Sequence, residues 1–180
     1  MKLLAFGAST SSTSINQQLA KHAAALAASQ LEQADVTELS LRDLDLPIYS
    51  EDEEKENGPP KDAQRFIDLI AAHDAIILSL AEHNGSYTAA FKNIYDWASR
   101  IEQKVWQGKP MLLLSSSPGA RGGATVMEAG KATFPRMGAE LAATFSLPQF
   151  YDTFGSEGIN DEDLASQLNE AVDALVSQLR

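Results

Sequence analysis

"DAIILSLAEHNGSYTAAFKNIYDW", residues 74–97, is the stretch on which the fold turns. Its first eight residues form a near-continuous apolar run of strand length, the pattern of a parallel strand covered on both faces. Glu82, His83, Asn84 and Gly85 then place polar groups and a flexible residue where that strand ends. From Tyr87 onward the spacing changes, and Phe91, Ile94, Tyr95, Ala98 and Ile101 fall mostly three or four apart, which predicts a helix. Buried strand, polar loop and amphipathic helix make one βα unit.

The same unit recurs on either side. "KLLAF" (2–6) reads as a short buried strand, "GASTSSTS" interrupts it, and Ile15, Leu19, Ala23 and Leu26 mark a helix that Ser14 can cap. "DVTELSL" (35–41) is a second strand, followed by a long loop whose acidic run "EDEEKE" (51–56) reads as solvated. Pro59 and Pro60 suit the start of a helix carrying Phe66, Ile67, Leu69 and Ile70. "GKPMLLLSSS" (108–117) repeats strand-then-polar, and "GARGGA" leads into a helix from about Ala124 that Pro135 ends or kinks. "AELAATFSL" (139–147) is a fifth strand. A last helix from about Asp161 carries Leu164, Leu168, Val172, Leu175 and Leu179 on one side.

Five alternations in 180 residues predict an α/β three-layer sandwich around a five-stranded parallel sheet, in one domain spanning 1–180. The flavodoxin-like strand order 2-1-3-4-5 fits this length, whereas a six-stranded dinucleotide fold needs more chain. A net charge of −11 argues against a nucleic-acid partner, which needs a basic face. The longest apolar runs fall short of a bilayer span, and the opening "MKLLAFGAS" reads as a first strand rather than a signal peptide. Without cysteine there are no disulfides or thiolate sites, which suits a cytoplasmic location.

Ligands of open parallel sheets bind beyond the carboxyl ends of the strands, near the switch in strand order. Three polar segments lie at such ends: "GASTSSTSIN", "AEHNGSY" and "SSSPGARGG". In the expected order their strands are neighbours, so the loops converge on one crevice. Ser9, Ser11, Thr13 and Ser14 bring hydroxyls to a helix start, where backbone N–H groups can receive a phosphate without a metal. A plain capped loop accounts for the same residues. No "GK[ST]" follows, which argues against a nucleotide-triphosphate P-loop. The glycines of "SPGARGG" permit close backbone approach to a flat ligand, or serve only as a connector. His22, His73 and His83 lack metal-ligand spacing, and "GASTS" is not a nucleophile elbow. Glu82 suits a hydrogen-bond acceptor at a strand end better than a lone base. The absence of a catalytic constellation points to a site that holds a ligand bringing its own reactivity.

Taken together, the segments resemble the NAD(P)H-dependent FMN reductase family, which includes quinone, azo-dye and chromate reductases. "ASTSSTSIN" followed by "QQLA" is similar to that family's first loop, "AEHNGSYTAAFKNIYDW" to its second signature, and "GKPMLLLSSSPGARGG" to its third. The resemblance implies that Ser9, Ser14, Ile15 and Asn16 serve the FMN phosphate. It also implies that Glu82, His83, Asn84 and Gly85 present backbone and amide groups to the flavin, with Ser117 and Gly119 nearby. By the same token, NADPH or NADH would donate electrons to a small-molecule acceptor, and the chain would form a homodimer or homotetramer. Three positions depart from the family pattern: Ser11 stands where its loop carries an arginine, His83 where the second signature carries a tyrosine, and Ala81 where that signature opens with a proline. The alternative on the same fold is an FMN-binding electron carrier or redox sensor without nicotinamide turnover. A phosphorylation receiver shares the strand order but needs an acidic cluster after the first strand, which is missing.

Overall fold

The computed structural model describes residues 1–180. Strands β1 (Lys2–Gly7), β2 (Asp35–Glu38) and β3 (Ala75–His83) are followed by a two-residue β4 (Ser86–Tyr87), β5 (Pro110–Ser116) and β6 (Glu140–Leu147). The main sheet runs β2-β1-β3-β5-β6 and all its pairings are parallel, while β4 folds back antiparallel on β3. With β4 set aside, this is the expected flavodoxin-like order.

Helices cover both faces, and the side-chain alternation of each strand feeds them. Leu3, Ala5, Ile77, Leu112 and Leu114 point to one side, where α1 (Ile15–Ser29) packs through Leu19, Ala23 and Ala27. Leu4, Phe6, Ile76, Leu78 and Leu113 point to the other, against Phe66 and Ile70 of α3 (Lys61–Ala72) and Phe91 and Ile94 of α4 (Ala89–Ile101). Both faces are apolar and buried, which is why these strands read as unbroken hydrophobic runs. Trp97 and Trp106 are fully buried core residues. No helix is long and apolar enough to cross a membrane.

The acidic run departs from expectation. Residues Glu51–Asn57 form a helix, α2, rather than a loop. Ser50 caps it by accepting from Glu53 N at 3.1 Å, and four carboxylates fill its first turn, where the helix dipole favours negative charge. Glu54 ties α2 to α4 by receiving Arg100 Nε at 2.9 and 3.0 Å and the Tyr49 hydroxyl at 3.0 Å. The second strand is also shorter than expected, because Leu41–Asp43 close into a 3-10 turn capped by Ser40.

Three further helices complete the fold. The first, α5 (Ala124–Thr133), stops just before Pro135. Beyond β6 the chain makes a four-residue helix, α6 (Phe150–Thr153), and a hairpin of β7 (Phe154–Gly155) and β8 (Gly158–Ile159), none of which the periodicity flagged. Asp161 then caps α7 (Glu162–Leu179) by accepting from Leu164 N at 2.9 Å.

Candidate functional site

The first loop is built on a close approach of strand to helix. A Cβ at Gly7 would collide with the backbone N of Gln17, so only glycine lets the end of β1 lie against the start of α1. Gly7 N also donates to Gln17 Oε1 at 2.8 Å. Ser9 Oγ accepts from Ser11 N at 3.1 Å, and Ser14 Oγ caps α1 by accepting from Gln17 N at 3.1 Å. The N–H groups of Ile15 and Asn16 have no acceptor within the chain. They sit at the positive end of α1, as unpaired donors do at any helix start.

Buried polar links hold the three strand ends together. The Asn16 side chain donates through Nδ2 to Ser116 O at 3.2 Å and accepts from Ser79 Oγ at 2.7 Å, so it spans α1, β3 and β5. Thr88 donates to Ala8 O at 2.8 Å while capping α4 through Phe91 N, which locks the first loop to the helix after β3. Glu82 Oε2 accepts from Val126 N at 2.9 Å and so caps α5 from across the sheet edge. That engagement matches the reading of Glu82 as an acceptor.

Together these elements enclose a crevice of about 190 Å³. Its wall includes Ser9, Ser11, Thr13, Ser14, Ile15 and Asn16 from the first loop, Glu82 and His83 from the end of β3, and Ser117 from the third loop. Asn84, Gly85 and Gly119 stand outside that wall. Asn84 and Gly85 instead form the tight turn between β3 and β4, both at positive φ (+52° and +73°), which is the hairpin chemistry of an Asn-Gly pair. Ala81, Ser116, Pro118 and Tyr151 also line the crevice without having been expected there. The first three adjoin expected residues. Tyr151 follows β6, a strand end that the switch-point argument did not include. No lysine or arginine lines the crevice.

A family model for NADPH-dependent FMN reductase matches residues 1–152. The chain belongs to this family. It is similar to a quinone reductase of Pseudomonas putida, 40% identical over 111 residues that make up 61% of this chain and 56% of that protein. The chain thus spans little more than half the length of that curated relative. Among solved structures it is similar to FerB of Paracoccus denitrificans, a flavoenzyme NAD(P)H:(acceptor) oxidoreductase, with 28% identity, a TM-score of 0.74, and 98% of this chain and 95% of that one covered. A mutant flavodoxin of Pseudomonas aeruginosa, 20% identical with a TM-score of 0.58 over 97% of this chain and 99% of its own, shares the fold.

Within this FMN reductase family chain the third loop is pinned to the sheet. Gly122 and Gly123 sit at φ +56° and +78°, and a Cβ on Gly122 would lie 2.9 Å from the Leu147 carbonyl carbon. Ser115 Oγ donates to Gly122 O at 2.7 Å and Ser116 Oγ to Leu147 O at 2.9 Å. Gly122 therefore serves close approach to the protein's own backbone, and Gly123 leaves room for the Ser115 side chain, whose Cβ would lie 3.1 Å from an added Cβ. Arg121 reaches Thr125 Oγ1 at 3.2 Å and lies outside the crevice. Tyr87, the last residue of β4, stacks on Phe134 at 5.9 Å, and burial pushes its phenol above the ordinary range.

Proposed function

We propose that this chain, acting as one domain over 1–180, is an FMN-dependent NAD(P)H oxidoreductase that reduces a small-molecule acceptor such as a quinone, azo compound, metal oxyanion or free flavin. One observation carries the reading. Hydroxyls of the first loop and the acceptor-free amides of Ile15 and Asn16 converge with the ends of β3 and β5 on a single crevice. The family match over residues 1–152 and the likeness to FerB support it.

The donor set fits FMN. The loop offers hydroxyl and amide donors at a helix N-terminus and contains no carboxylate, which suits a phosphate. The carboxylate of Glu82 is engaged through Oε2 by Val126 N. Ser9, Ser11, Thr13, Ser14, Ile15 and Asn16 would hold the phosphate end. Glu82, His83 and Ser117, flanked by Asn84, Gly85 and Gly119, would border the ring. When bound, FMN supplies the hydride and electron chemistry between nicotinamide and acceptor. The chain's part is to bind, orient and fix the walls: Asn16 ties the start of α1 to β3 and β5, and Glu82 anchors the end of β3 to α5. No side chain is assigned as acid or base. We place the protein in the cytoplasm, which a chain without cysteine suits, as a homodimer or homotetramer, as the family resemblance suggests.

The test is a visible spectrum of the purified chain with added FMN, followed by NADPH and then a benzoquinone. Flavin absorbance that stays with the protein, bleaches with NADPH and returns with quinone is expected. Bound FMN that NADPH never bleaches favours the electron carrier. A chain that takes up no FMN overturns both readings.

A further inference from the structure

Tyr151 is one of only three large hydrophobic residues the surface exposes, at 73%, and the only one of them that lines the crevice. An aromatic ring left in water stabilises nothing in the core, yet the backbone beneath this one is firmly built. Gln149, at φ +47°, donates from its N–H to Gly119 O at 2.9 Å, and Phe150 N donates to Ser117 O at 3.1 Å. Both acceptors belong to the third loop. Phe150 is buried and stacks on Phe154 at 4.7 Å, while its ring meets that of Tyr151 edge-on at 5.8 Å. Thr153 Oγ1 closes α6 by donating to Pro148 O at 2.8 Å. The ring is therefore exposed but its base is anchored.

The rest of the crevice makes such a ring valuable. No lysine or arginine lines it, and Ser11 supplies only a hydroxyl in the first loop. Affinity must then come from neutral donors and from apolar cover, which an aromatic side chain provides with little loss of rotamer freedom. We infer that Tyr151 is a ligand-binding residue of the crevice: its ring forms the outer wall that covers FMN held on the first loop. This rests on the FMN reading above and assigns a role to a residue outside the three signature segments. The ring carries the contact, not the hydroxyl.

FMN titrations of the full chain, followed by flavin fluorescence, test this with Tyr151→Ala and Tyr151→Phe. An aromatic contact contributes about 0.5–1.5 kcal/mol beyond area burial. Tyr151→Ala should accordingly raise the Kd for FMN about two- to tenfold, and Tyr151→Phe should stay within about twofold. Because the residue is exposed, the thermal midpoint of Tyr151→Ala without FMN should equal that of the unaltered chain. Unchanged FMN affinity in Tyr151→Ala overturns the inference while leaving the FMN reading intact, and so does a change of mass on size exclusion with affinity unchanged, which would make the ring a subunit contact. Failure of the unaltered chain to bind FMN overturns both.

Discussion

The hydroxyl of Ser79, deep in β3, donates to Oδ1 of Asn16 at 2.7 Å, and the same amide returns a bond from Nδ2 to the Ser116 carbonyl at 3.2 Å. Both side chains are buried. Asn16→Ala leaves a hydroxyl and a carbonyl without partners, at a cost of about 1–3 kcal/mol. For a chain of this size that lowers the thermal midpoint by about 2–10 °C. Calorimetry on the variant checks it; an unaltered midpoint would show that the link contributes nothing.

Gly7→Ala should be worse tolerated than an ordinary small-to-large change. The added Cβ meets the Gln17 backbone rather than a flexible side chain, so α1 must move away from β1. Overpacking of this kind costs about 1–3 kcal/mol. Chemical denaturation should show that loss, and FMN affinity should fall with it because the donors of the first loop ride on α1.

Ser11→Arg provides the opposite test. A charged hydrogen bond contributes about 1.5–3 kcal/mol against about 1 for a neutral one. The Kd for FMN should then drop about two- to thirtyfold, whereas riboflavin, without the phosphate, should bind as before. Equal gains for the two ligands would place the phosphate elsewhere.

His22 predicts an acid-sensitive hairpin. Its ring lies where a Cβ on Gly158 would stand and meets Phe154 edge-on at 5.5 Å. Burial lowers its pKa below 6.5, so the folded state resists protonation that the unfolded chain accepts. Stability from this contact is complete above pH 6.5 and is lost progressively as pH falls from there toward the lowered value. His22→Gln should flatten stability across that window. A parallel pH profile for the two proteins would refute the assignment.

Much of this was legible from residue pattern. "DAIILSLA" and "MLLL" announce doubly covered strands, and Ser14 and the residues flanking Pro60, Pro135 and Asp161 mark helix ends because capping is local chemistry. The misreading of 51–56 has a physical reason: composition suggested solvent, but Ser50 and the carboxylates of the first turn favour a helix, and its tether to Arg100 lies far along the chain. The Asn84–Gly85 pair carried a hairpin signal that its place in a flavin signature obscured. Tyr151 had no local signal at all. Its position depends on Phe150 finding the core and on bonds to Ser117 and Gly119, which only the folded sheet brings near.

A grip made of neutral donors also bears on how fast a ligand arrives. A phosphate monoester near two negative charges approaches a chain of net charge −11 with no lysine or arginine lining its destination. Long-range forces oppose that encounter, and added electrolyte shortens their reach from about 30 Å at 0.01 M to about 8 Å at physiological strength. The association rate constant should climb with ionic strength, the reverse of a pocket that draws in its cofactor by positive charge.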